Sequence, residues 1–148
     1  MKKATVLGEY LLHAKYRFIN TVNKEDPVYQ NLLALADEVV ETTCAKLPEE
    51  VRDKAKDLVV LLEPRPSDEL VQEGVEPDLL GLFNGDAYPD GPSDAPLPPQ
   101  VHLFLENLWD FCGGDEKRFR DEARITYLHE LGHYLGLDED DLLLRDLA

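Results

Sequence analysis

The sequence predicts an α+β fold. Three observations carry the prediction: short apolar runs at 58–63, 79–85 and 101–105 that stop at turn-forming residues, helical windows at 28–44 and 116–135, and a His-Glu-x-x-His pattern, His129 to His133, inside the second window. With 148 residues the chain is long enough for one domain around one modest core.

Residues 4–22 carry Leu7, Tyr10, Leu11, Leu12, Ala14, Phe18 and Ile19 at helical spacing, which predicts an amphipathic helix within an N-terminal helical extension over 1–29. Asn23-Lys24-Glu25-Asp26-Pro27 breaks it. The window 28–44 follows, with Leu32, Leu33, Leu35, Ala36, Val39 and Val40 as a broad apolar stripe. Pro48, Glu49 and Glu50 then start a short helical piece. Leu58 to Leu62 is continuously apolar and stops at Pro64-Arg65-Pro66, as a buried strand does. Ser67 caps a short helix or loop, and the run 79–85 closes on Asn84-Gly85, a strong turn signal. Five prolines in 86–100 make that stretch a loop. The run 101–105 is the third strand, and 106–111 a turn or short helix. Gly113 and Gly114 end that segment, and Asp115 is placed to cap the helix 116–135. Ile125, Leu128, Gly132 and Leu135 form its expected core stripe, with Glu122 and Thr126 on the side of the two histidines. Residues 140–148 are expected to form a short terminal helix.

The charge balance restricts partners. Thirty-one acidic against 15 basic residues give a net charge of −16, which argues against nucleic acid and anionic membranes as partners. Cys44 and Cys112 are too few for a disulfide scaffold and lack a CxxC partner, so two reduced thiols are expected. Met1-Lys2-Lys3 resembles the start of a signal peptide, but Glu9, His13, Lys15 and Arg17 interrupt the apolar stretch that should follow. No apolar run approaches a membrane span, and a cytoplasmic location is the expectation.

The chemistry is concentrated at the end of the second helical window. Side chains four apart share a helix face, so His129 and His133 can present two imidazoles to one Zn²⁺. Glu130 lies one step round the helix, beside the metal, where it can take a proton from a water activated there. Gly136, seven residues after His129, suits a helix end with positive φ that turns the chain back toward the metal. Glu139 occupies the slot that holds the third ligand in longer patterns of this kind, followed in preference by Asp140 and Asp138. Tyr88, Tyr127 and Tyr134 are candidates for oxyanion stabilisation by side-chain type alone, and neither His13 nor His102 is expected at the site.

Gly81-Leu82-Phe83-x-Gly85, the strand 101–105 and Thr126-x-x-His129-Glu130-x-Gly132-His133-x-x-Gly136 together resemble the minimal zincin family of small bacterial zinc metallopeptidases, over about residues 30–147. The resemblance implies a zincin-like fold, with a small mixed β-sheet packed against the long active-site helix, in a metallopeptidase domain at 30–148. It also implies a third ligand from the acidic residue after Gly136, often Asp in the family and Glu139 here. The expected function is a zinc-dependent metallopeptidase acting on a peptide or protein. His129, His133 and Glu139 would hold the metal and Glu130 would act as general base, with a strand at 81–85 or 101–105 aligning the substrate. The competing expectation is a metal-binding regulatory or adaptor module with the same fold and little or no hydrolysis.

Overall fold

The computed structural model describes residues 16–18, 26–88 and 98–138. Along these the chain runs β1 (Tyr16–Phe18), α1 (Pro27–Ala45), α2 (Glu49–Ala55), β2 (Val59–Glu63), α3 (Asp68–Gln72), β3 (Gly81–Asn84), β4 (Gln100–Phe104), α4 (Leu105–Phe111) and α5 (Glu116–Tyr134). The four strands form one mixed sheet in the order β1-β2-β4-β3. The first three are parallel and β3 is antiparallel to β4. No helix among the described residues is long and apolar enough to cross a membrane.

Local sequence explains most of these elements. Asp26 caps α1 by accepting from the Val28 amide at 3.0 Å, and Pro27 follows where a missing N–H has no consequence. Ser67 accepts from Leu70 N at 3.2 Å and Asp115 from Arg118 N at 3.0 Å, which starts α3 and α5 where expected. The unbroken apolar run of β2 reflects its place: it is flanked by parallel strands on both sides and covered on both faces.

Val60 and Leu62 of β2 and Val101 and Leu103 of β4 point into the main core. There they meet Leu32, Ala36, Val39 and Val40 of α1, Leu105 and Leu108 of α4, and the inner face of α5. By strand alternation Leu61, His102 and Phe104 point to the opposite face, where they too are buried. Cys44 and Cys112 are buried thiols, not a disulfide.

Three expectations are corrected. Within the helix expected over 4–22, Tyr16–Phe18 is a strand paired in parallel with Val60 to Leu62 of β2; two aromatics alternating with an arginine fit a pleated strand as well as a helix. The rest of that expected helix lies outside the described residues, as does the terminal helix expected at 140–148. The run 101–105 cannot serve as a free edge, because β4 is paired on both sides; β1 and β3 are the terminal strands of the described sheet, and β3 is the one beside α5. The core stripe of α5 is Phe119, Ala123, Tyr127, Leu131 and Tyr134, while Leu128 and Leu135 only pack partly against the core and Ile125 is half-buried. Counting aliphatic residues alone displaced the stripe, because the inward positions are held largely by aromatics and an alanine at four-residue steps.

Candidate metal centre

The last turn of α5 is closed by two backbone hydrogen bonds. Leu137 N donates to Gly132 O and Gly136 N donates to His133 O, both at 3.0 Å, and Gly136 has φ of 89°. This is the Schellman closure of a helix, and the left-handed residue it requires explains the glycine. The turn brings the Leu137 carbonyl back over the helix end, where His133 Nδ1 lies 3.0 Å from it.

A carbonyl only accepts, so the His133 Nδ1 carries the proton and donates it to Leu137. In that tautomer Nε2 is the ring's acceptor nitrogen. That nitrogen faces His129 Nε2 at 3.2 Å. The two half-buried imidazoles stand nearly edge to face, with centroids 4.8 Å apart and planes at 80°.

This arrangement passes a test of fit for zinc. Two Zn–N bonds of about 2.0–2.1 Å drawn from nitrogens 3.2 Å apart meet at about 103°, close to the tetrahedral angle. Imidazole nitrogen is a donor that zinc favours, and the carbonyl behind His133 fixes its tautomer as ligand-orienting groups do.

Thr126 and Glu130 both approach Gly81 of β3. A Cβ added to Gly81 would sit 2.5 Å from Thr126 Cγ2, 3.1 Å from the His102 carbonyl oxygen and 3.5 Å from Glu130 Cγ. β3 therefore passes closest to Thr126, where only a residue without a side chain fits, and Glu130 Cγ lies beside it at ordinary contact distance. Thr126, expected near the histidines, is buried as a packing residue against Gly81. Glu122 is half-buried on the same helix.

Glu139 and Asp140 lie outside the described residues. Asp138 is described and exposed. Among the described residues no group of three His, Cys, Asp or Glu is placed to hold a metal. His102 is directed away from α5: its Nδ1 pairs with Glu63 Oε1 at 2.5 Å, and its Nε2 is buried with no hydrogen-bond partner among the described residues.

The tyrosine candidates separate. Tyr127 is buried in the core, and burial, then the neighbouring Cys44, pushes its hydroxyl well above the usual tyrosine range. Tyr134 is buried and donates to the Lys54 carbonyl at 3.0 Å; burial, then Asp57 and Tyr88, raises it too. Tyr88 is 46% exposed and packs edge-on against Tyr134.

Two contacts had no distinctive sequence signal. Gly81 reads as part of the apolar run 79–85 and of the pattern Gly81-Leu82-Phe83-x-Gly85, but its close contact with Thr126 depends on which helix passes beneath. Asn107 is buried in α4, where a lone asparagine in a polar-apolar mixture predicts nothing.

A family model described as a zincin-like metallopeptidase matches residues 55–147. The match takes in the stretch from β2 through α5 and the acidic segment beyond it, and starts later than the resemblance drawn from about residue 30. No curated protein matches the chain.

Proposed function

The chain belongs to the zincin-like metallopeptidase family, and from that membership we propose that it is a zinc-dependent metallopeptidase that cleaves a peptide or protein backbone amide. His129 and His133 hold the metal, with Glu139 as third ligand ahead of Asp140 and Asp138. When bound, zinc supplies a Lewis acid that polarises the scissile carbonyl and acidifies a water. Glu130 would serve as general base toward the attacking water and pass the proton on to the leaving amine. β3, as a terminal strand, offers backbone N–H and C=O groups that line up an extended peptide beside Glu130.

The observation that carries this reading is the approach of the two Nε2 atoms to 3.2 Å with the His133 tautomer fixed by Leu137. It supports a shared cation, since two lone pairs at that distance need a positive centre between them or a proton from His129. The test is Glu130→Gln. Zinc content and fold should match the unsubstituted protein while turnover on a peptide library falls at least about a hundredfold.

The second reading is a metal-binding regulatory or adaptor module. It draws on size, because 148 residues leave little chain for the walls of a cleft. The same variant separates the two: an adaptor keeps its metal and binds its partner unchanged when Glu130 becomes Gln.

A further inference from the structure

β3 has a neighbour in the sheet on one side only, so its position over α5 must be secured from elsewhere as well. The ladder with β4 continues one step upstream, where Phe104 N donates to Leu80 O at 3.0 Å. Before that the chain from Val75 to Leu79 is a turn, outside any strand. Besides the backbone bonds from Val75 N to Leu70 O at 3.0 Å and from Leu79 N to Glu76 O at 3.2 Å, it is held by a side chain of α4. Asn107 Nδ2 donates to Pro77 O and to Leu79 O, each at 2.8 Å. Its Oδ1 accepts from Arg65 Nη1 at 2.8 Å. All three bonds converge on a side chain that is 4% exposed.

Arg65 is itself fixed. Its Nε donates to Glu106 Oε1 at 3.0 Å and its Nη2 to Asp110 Oδ2 at 3.2 Å. The Glu106 amide donates to Pro64 O at 3.0 Å, which ties the same turn to the start of α4. Arg65 orients the Asn107 amide so that its oxygen faces the guanidinium and both N–H bonds face the two carbonyls.

We propose that Asn107 is a positioning residue for peptide hydrolysis: by clamping the Pro77 and Leu79 carbonyls it sets where β3 lies beside Glu130, and so where an extended substrate aligns. The inference rests on the proposed metallopeptidase reading and adds to it a residue that touches neither substrate nor metal. The close fit at Gly81 makes alignment sensitive to small movements of the strand. A shifted strand loses backbone bonds that hold an extended peptide equally in the ground and transition states, which raises KM and leaves kcat.

Asn107→Asp is the diagnostic variant. It preserves shape and the acceptor for Arg65, but an ionised carboxylate has no N–H to offer Pro77 and Leu79. Three readouts are needed: zinc content, backbone amide exchange in β3, and kinetics on two substrates. One substrate is an extended peptide that runs along β3; the other is a single-residue acyl amide too short to reach it. The expected result is unchanged zinc, faster exchange at Leu82 and Asn84, whose amides face β4, a roughly tenfold rise in KM for the extended peptide with kcat kept, and no change on the short amide.

An unchanged KM for the extended peptide with unchanged β3 exchange overturns the proposal. So does an equal loss on both substrates, which marks general damage. If the unsubstituted zinc-loaded protein cleaves no peptide, the functional reading fails, and the exchange measurement alone decides whether Asn107 positions the strand. Should Asn107→Asp not fold, Arg65→Ala takes its place: the Arg65 side chain is 52% exposed, and its loss frees the amide to rotate, with the same pattern expected at smaller amplitude.

Discussion

Placing an alanine at Gly81 examines the contact on which the candidate site is built. The new Cβ would lie 2.5 Å from Thr126 Cγ2, whereas ordinary contact begins at 3.4 Å, so strand and helix must part by about 0.9 Å. The Thr126 methyl cannot simply yield, because Thr126 is buried and the His102 carbonyl stands 3.1 Å from the same Cβ on the other side. Overpacking of this kind costs about 1–3 kcal/mol. Alanine stiffens the unfolded chain and returns about 0.4–1 kcal/mol, so a net loss of about 1–2 kcal/mol is expected. For a chain of this size that lowers Tm by about 2–8 °C. The assay is thermal unfolding of Gly81→Ala, Thr126→Ala and the double variant, read as a double-mutant cycle. Removing the Thr126 methyl should restore most of the loss, leaving only the contact with the His102 carbonyl, and give a coupling of about 1 kcal/mol. Additive single effects, or a Gly81→Ala protein as stable as the original, would refute the close passage of β3 over α5.

Three further outcomes follow from the same geometry. Gly136→Ala forces an L-residue into φ of 89° and pulls the Leu137 carbonyl from His133, so zinc affinity measured by competition with a chelator should fall by about tenfold or more. Glu139→Ala should sharply reduce the zinc content of protein purified without added metal, and retention of zinc would move the third ligand to Asp140 or Asp138. Asp37 is pushed up to about 6, first by burial and then by Glu41. Its folded pKa exceeds its unfolded one, so its favourable contribution is complete below about pH 4 and is lost as pH rises through about 6. Asp37→Asn should therefore raise Tm at pH 8, and the gap should close as the pH falls below 4; an equal gap at both pH values would contradict the assignment.

How far the structure was legible in the sequence depended on whether the signal was local. The starts of α3 and α5 were readable because Ser67 and Asp115 act on amides three residues away, and α1 because its apolar stripe follows a break at 23–27. β2 was readable because a central parallel strand needs both faces apolar. The histidine pair was readable because a helix brings positions four apart together regardless of what surrounds it. β1 was not, since three residues inside a window of helical spacing carry too little pattern to decide. The orientation of α5 was missed where aromatic side chains, not aliphatic ones, filled the core. The contact of Gly81 with Thr126 and the bonds of Asn107 were not legible for a different reason: each involves a segment brought in only by tertiary packing. Asn107 meets Pro77 and Leu79 across 30 and 28 positions of chain, and no spacing rule spans that.

The central claim is that His129 and His133 form one metal site. Elemental analysis of the unsubstituted protein and of His133→Ala, each purified without added metal and then dialysed against zinc, tests it directly. About one zinc per chain in the first and far less in the second is the expected result. No zinc in the unsubstituted protein, even after zinc is supplied, would leave a helix with two neighbouring histidines and no metal chemistry.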